Sequence, residues 1–185
     1  MPRPKLHSDE AILDAAKSVV KKRGPPEFTL NYVALKVGIS RAALIQRFKN
    51  RENILHSVMA RAVQLTREHV DSMAVERSHS GLHSFLDELC SIMGEGSGFE
   101  THLLIAWSEA RDPVLKKLSQ ERFALVRDSL EKRIPAGPAH SPAEGPQLLQ
   151  CVIGGAAMQW LVESEGRLDA YIRTRVELAL SAIFK

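Results

Sequence analysis

The sequence predicts an all-α protein, a small N-terminal bundle of three helices joined to a larger helical bundle. Two observations carry that prediction. Apolar residues recur at helical spacing along almost the whole chain, and no stretch alternates convincingly with the period of two that a half-buried strand requires. Cap and stop residues punctuate the N-terminal part: Ser8, Thr29 and Ser40 are placed to open helices, and Gly24 and Gly38 to close them.

The first helix is expected from about Ser8 to Arg23. Asp9 and Glu10 suit its positive end and Lys21, Lys22 and Arg23 its negative end, while Ile12, Ala15, Ala16, Val19 and Val20 form an apolar face. Gly24-Pro25-Pro26 stops it. The second helix opens at Thr29, buries Leu30, Val33, Ala34 and Val37, and ends at Gly38. Only Ile39 intervenes before Ser40 caps a third helix that runs through Leu44 to Phe48. A fourth is expected from Arg51 to about Ser78, and others near 80–93, 100–111, 113–134, 146–164 and 167–184. GEGSG (94–98) reads as a flexible break, and the Pro/Gly/Ala-rich stretch 134–146 as the longest loop.

Composition narrows the function. The chain has 185 residues, 25% of them charged, which is the composition of a soluble globular protein. MPRPKLHSDE has no apolar run of the kind a signal peptide needs, and CVIGGAAMQWLV is far short of the roughly 20 residues of a bilayer span. Two cysteines are too few for a disulfide framework, so a cytoplasmic protein without membrane contact is expected. The net charge of +3 is unevenly placed: residues 1–55 hold 11 Lys or Arg against 5 Asp or Glu, whereas the rest is net acidic. One end of the molecule is thereby suited to a polyanion.

Two short helices joined by a tight turn containing glycine fit a helix-turn-helix. Small Ala34 lets the helices cross closely, Gly38 supplies the turn, and Ile39 plugs the bundle. At about 100° per residue, Leu44 and Phe48 define the buried side of the third helix. Ala42 and Gln46 then point roughly opposite, flanked by Ala43 and Ile45, with Arg41 and Arg47 at the margins. A helix with small residues at its outer centre can lie deep in a major groove, where Gln pairs with adenine and Arg with guanine. Ser40, which caps this helix, belongs to the same expected surface.

Residues 8–55 resemble the DNA-binding region of the TetR family of bacterial transcriptional regulators. The resemblance rests on Ile12, Leu13, Ala15 and Ala16, then Gly24, Thr29, Val33 and Ala34, then Gly38-Ile39-Ser40, and finally Leu44, Phe48 and Arg51-Glu52. It implies a hydroxyl from Thr29 to phosphate, with Asn31 and Tyr32 beside the DNA backbone and Arg51 in a phosphate-binding position. Arg3 and Lys5 could reach DNA as an arm. The chain departs from the pattern at Ile45, where relatives commonly carry Tyr, at Gln46 and Arg47, where Tyr or His is common, and at Arg51, where Lys is usual. These departures bear on which operator is read.

The resemblance also implies a division into a DNA-binding domain, 1–52, and a helical ligand-binding and dimerisation domain, 53–185. Gly154, Gly155 and Ala157 belong to a small-residue patch that allows close helix approach, and the last helix carries Ile172, Val176 and Leu180 at helical spacing. With Trp160 and Leu161 these form the expected homodimer interface, since paired reading heads at a palindromic operator need a two-fold axis. Trp107, Met93, Leu103 and Cys90 are the candidates for lining an effector pocket. His79, His83 and Asp87 share a helical face, but Gly81 and the loop-like VERSHSG context argue against a metal there. No cofactor or catalytic residue is expected: HExxH and GxSxG are absent, and GEGSG lacks the Lys-Ser/Thr of a phosphate loop.

The expectation is therefore a homodimeric repressor that binds double-stranded DNA and is released by a small-molecule effector. An activator or effector-less regulator of the same fold competes with it, as does a helical small-molecule-binding module or enzyme without DNA contact.

Overall fold

The structure is a computed structural model and describes residues 8–135, 144–163 and 165–183. Among the described residues it contains nine helices: α1 (Asp9–Arg23), α2 (Leu30–Val37), α3 (Arg41–Phe48), α4 (Arg51–Ser72), α5 (His79–Met93), α6 (Glu100–Arg111), α7 (Pro113–Glu131), α8 (Glu144–Glu163) and α9 (Leu168–Ile183). The chain is thus all-α, with a helix-turn-helix bundle preceding a larger set of helices.

Packing divides the described residues into two compact units. The first takes the residues up to Leu65 together with Glu100–Glu121, and the second takes Thr66–Phe99 and the residues from Arg122 onward. This is a division by packing, separate from the division by role expected at residue 52.

In the first unit, α1 packs on α2 and α6, and α2 on α3. Ile12, Ala16, Phe28, Val33, Leu44 and Ile54 fill the centre, each completely or almost completely buried. Thr101 Oγ1 donates to Lys21 O at 3.1 Å, satisfying a carbonyl in the last turn of α1. At the corner between α6 and α7, Asp112 caps α7: its Oδ1 accepts from the backbone N–H of Val114 at 2.8 Å and of Leu115 at 3.1 Å. Pro113 follows at the first helical position, where a missing N–H costs nothing. Asp112 Oδ2 meets His56 Nε2 of α4 at 2.7 Å.

Burial opposes ionisation of Asp112, but the hydrogen bonds from His56, Leu115 and Val114 outweigh it and hold the carboxyl below its ordinary value. A depressed folded value means the ionised group contributes stability that is fully present above the unfolded value and is lost as pH falls through the folded one. Asp112→Asn should therefore melt below the parent at neutral pH. The difference should shrink as the solution is taken to about pH 3. A gap independent of pH in paired melting curves would mean the carboxylate does not hold the corner electrostatically.

In the second unit, α9 packs on α8 and α5. Leu82, Phe85, Leu149, Leu168, Ile172 and Val176 form the core. Arg133 lies among them, 1% exposed. Its guanidinium donates to Ser129 O at 2.8 Å, to Ala74 O at 2.8 and 3.1 Å, and to Met73 O at 3.0 Å, and it stands 4.4 Å from the centroid of the Phe85 ring. This explains why α4 stops at Ser72 rather than running to Ser78. The carbonyls just past its end are taken by a side chain near the end of α7, which stands in for further helix.

The GEGSG segment is a built corner rather than a flexible break. Leu168 N donates to Glu95 O at 3.3 Å and Asp169 N to Gly94 O at 3.0 Å, so the segment satisfies donors that open α9. Arg167 bridges Glu95 and Asp169. Gly96 is buried at φ +97°, under the ring of Trp160. Trp160 Nε1 donates to Gly166 O at 3.2 Å, and its ring meets Phe99 edge-on at 6.4 Å. His83 pairs with Glu177 and Asp87 with Arg173, so two of the three residues weighed for a metal face are engaged with α9.

Candidate nucleic-acid interface

The α2–turn–α3 geometry follows from its caps. Thr29 Oγ1 accepts from Tyr32 N at 3.3 Å and Ser40 Oγ from Ala43 N at 3.1 Å, so each helix has its opening donor satisfied by its own N-cap. Gly38 adopts φ +77°, ψ +33°, the left-handed conformation that closes α2. Its N–H and that of Ile39 both reach Ala34 O, at 2.9 and 3.1 Å, which reverses the chain within two residues. Leu44 is completely buried and Phe48 half-buried, which fixes the roll of α3.

That roll exposes Arg41, Ala42, Ile45 and Gln46 and leaves Ala43 and Arg47 half-buried. Ile45 is 41% exposed, an apolar side chain on an otherwise polar or small face. The side chains of Arg41 and Gln46 make no hydrogen bond to other described residues, so their polar groups are available to a ligand. Arg47 instead turns toward α1 and pairs with Asp9 at 3.4 Å. On α2, Asn31 and Tyr32 are exposed, and the guanidinium of Arg23 covers one face of the Tyr32 ring at 4.0 Å.

Arg51 is placed differently from a free phosphate ligand. Its Nε donates to Phe28 O at 2.6 Å, a terminal nitrogen reaches Pro25 O, and the other pairs with Glu52 at 3.3 Å. The side chain thus ties the α1–α2 loop to the start of α4, a role that the sequence signals only through the long reach of Arg. Arg3 and Lys5 lie outside the described residues.

The four effector-pocket candidates fall two in each unit. Cys90 is buried and Met93 half-buried in the packing of the second unit. Leu103 and Trp107 belong to α6 in the first, where Trp107 is 62% exposed. The expected interface residues also separate. Ala157, Ile172, Val176 and Leu180 are buried in the chain's own core, and Trp160 and Leu161 pack against that core. Gly154 and Gly155 are exposed, with open space where a side chain would project. They lie with Leu148, Cys151, Met158 and Val162 on the outer face of α8, and Leu178 is exposed on α9.

Comparison with known proteins bears on this arrangement. A family profile described as bacterial regulatory proteins, tetR family, matches residues 12–58, the segment that holds α2, the turn and α3. The HTH-type transcriptional repressor BepR of Brucella suis biovar 1 (strain 1330) is 24% identical over 172 residues, covering 85% of this chain and 82% of BepR. The crystal structure of a TetR transcription regulator from Haloarcula marismortui ATCC 43049 superposes with a TM-score of 0.81 at 16% identity, covering 95% of each chain. SmeT, the repressor of the Stenotrophomonas maltophilia multidrug efflux pump SmeDEF, superposes with a TM-score of 0.70 at 18% identity, covering 96% of this chain and 90% of SmeT. SmeT has also been solved in complex with triclosan.

Proposed function

Since the chain belongs to the tetR family of bacterial DNA-binding regulators, which are not enzymes, we propose that it is a homodimeric repressor in the cytoplasm, released from a palindromic operator by a small-molecule effector. The observation that carries the reading is the outer face of α3, where Arg41 and Gln46 stand exposed beside Ala42 and Ile45 while Leu44 is buried. Arg41 and Gln46 read base edges, Ile45 and Ala42 meet thymine methyls or sugars, and Ala43 lets the helix approach. Ser40, Asn31, Tyr32 and Thr29 at the helix openings, with Arg47, set the register on phosphates, and Arg3 and Lys5 add to them, while Arg51 acts by holding the α1–α2 loop to α4. Residues 1–52 form the reading head and 53–185 the ligand-binding and dimerisation part.

The second copy is held through the outer face of α8. Leu148, Cys151, Gly154, Gly155, Met158 and Val162 make an exposed strip, with Met158 48% and Val162 86% exposed. Glycines at its middle allow two such helices to cross closely. The triclosan complex of SmeT supports an effector for this chain. An effector of that kind acts by binding the DNA-free state more tightly than the DNA-bound one.

The test is selection of genomic fragments by the purified protein, run beside an Arg41→Ala, Gln46→Ala double variant. The parent should enrich a palindrome. Each lost base contact should cost about 1–3 kcal/mol, or roughly tenfold to a hundredfold in affinity. A parent that retains only random DNA in a salt-sensitive way would overturn the reading. Sedimentation of Gly155→Glu at the same concentration should show a monomer where the parent is a dimer. The open space beside Gly155 lets the chain itself fold unchanged.

A further inference from the structure

The first unit carries a groove of about 640 Å³ between the α1–α2 loop, the start of α4 and the α6–α7 corner. The groove is open to solvent along one side, so a ligand would lie along it and keep one edge in water. Pro25 and Pro26 form one wall, Leu55 and Leu115 the floor, and Trp107 and Val114 the other wall. Trp107 is 62% exposed and Val114 48%, so a flat indole face and two proline rings border a space that no described side chain fills.

The charges in the groove select what fits. Arg51 is engaged with two backbone carbonyls and Glu52, and Asp112 with His56 and two backbone N–H groups. These groups satisfy one another and leave no charge to offer. Arg111 is different: its guanidinium stands 5.4 Å from the centroid of the Trp107 ring and has no carboxylate partner among the described residues. One uncompensated cation beside an exposed aromatic face matches one negative charge on a planar apolar body. A guanidinium grips a carboxylate through two parallel hydrogen bonds, a geometry that a single halide or hydroxyl cannot use.

We propose that this groove binds a small aromatic carboxylate, the ring stacked on Trp107 against the Pro25–Pro26 wall and the carboxylate held by Arg111. The proposal deepens the effector side of the regulator reading and rests on it for its biological meaning. The site adjoins the loop that leads into Thr29 and α2, so occupancy acts at the base of the helix-turn-helix and not in the apolar core of the second unit.

The probe is 2-naphthoate, followed by the indole N–H resonances of the two tryptophans, with Trp107→Phe supplying the assignment. The Trp107 signal should move on titration while that of Trp160 stays still. The neutral 2-naphthamide should bind about tenfold more weakly, and Arg111→Gln should weaken the carboxylate by a similar factor. Both substituted side chains are exposed, so the fold is kept. A Trp107 signal that does not move, equal binding of acid and amide, or movement of Trp160 alone would each overturn the groove. The same samples are assayed for retention of the selected DNA. Protein that holds its operator but ignores naphthoate refutes the groove alone, whereas protein that binds naphthoate but selects no DNA refutes the regulator reading and leaves the groove standing.

Discussion

Arg133→Met should lower the stability of the second unit by about 3 kcal/mol. Two effects oppose each other at this site. Burial disfavours the charged guanidinium and pushes its pKa down, so removing the charge relieves a desolvation cost. Removal also takes the side-chain donor from the carbonyls of Ser129, which is buried, and of Met73 and Ala74, which are partly covered, and an unsatisfied buried carbonyl costs about 1–3 kcal/mol. The buried Ser129 carbonyl, the two partly covered ones and the lost packing on Phe85 together outweigh one relieved charge. The melting temperature should then fall by about 6–12 °C. Arg133→Lys should recover little of this, because an ammonium cannot span carbonyls from the ends of two helices. Arg127→Met, which removes a surface pair with Asp128 at 3.8 Å, should change stability by less than about 1 kcal/mol. Equal melting of the Arg133 and Arg127 variants would show that the buried guanidinium contributes nothing net.

Gly96→Ala is the second large effect, again about 3 kcal/mol. At φ +97° an L side chain is strained, and a Cβ there would stand 2.1 Å from the Trp160 ring. The ring must move, and with it go the hydrogen bond to Gly166 O and the edge contact on Phe99. Gly98→Ala separates the two contributions. Gly98 also has positive φ, +75°, but nothing lies within 4 Å of its Cβ, so only the backbone cost of about 1 kcal/mol remains. Trp160 fluorescence should shift in the first variant and not in the second. Identical melting of the two would mean that the ring does not depend on the glycine.

The contrast between these sites and α2–α3 shows what a sequence can disclose. Ser8, Thr29, Ser40 and Gly38 act within four residues of where they stand, so the helix-turn-helix and its exposed face were legible from spacing alone. Arg133 caps the end of α4 from about 60 residues away, and nothing near Ser72 announces it. GEGSG has the composition of a linker, yet its carbonyls serve α9 some 70 residues later, a long-range pairing that composition cannot encode. Ile172, Val176 and Leu180 mark an apolar face correctly, but periodicity cannot say whether that face meets the same chain or a second copy. Trp107 invited a pocket reading by its size, and its place at an open groove depends on the α6–α7 corner that Asp112 and His56 close.

The two cysteines differ in a way that can be put to use. Burial pushes the Cys90 thiol up to about 11, so it holds almost no thiolate at neutral pH and is shielded from reagents. Cys151 is exposed on the outer face of α8. The unaltered chain therefore carries one addressable thiol, on the helix proposed to meet its symmetry mate. A second copy seated on that face would cover the thiol, so the rate at which Cys151 is labelled should fall as the protein concentration rises, reporting assembly with no cysteine engineered in or out.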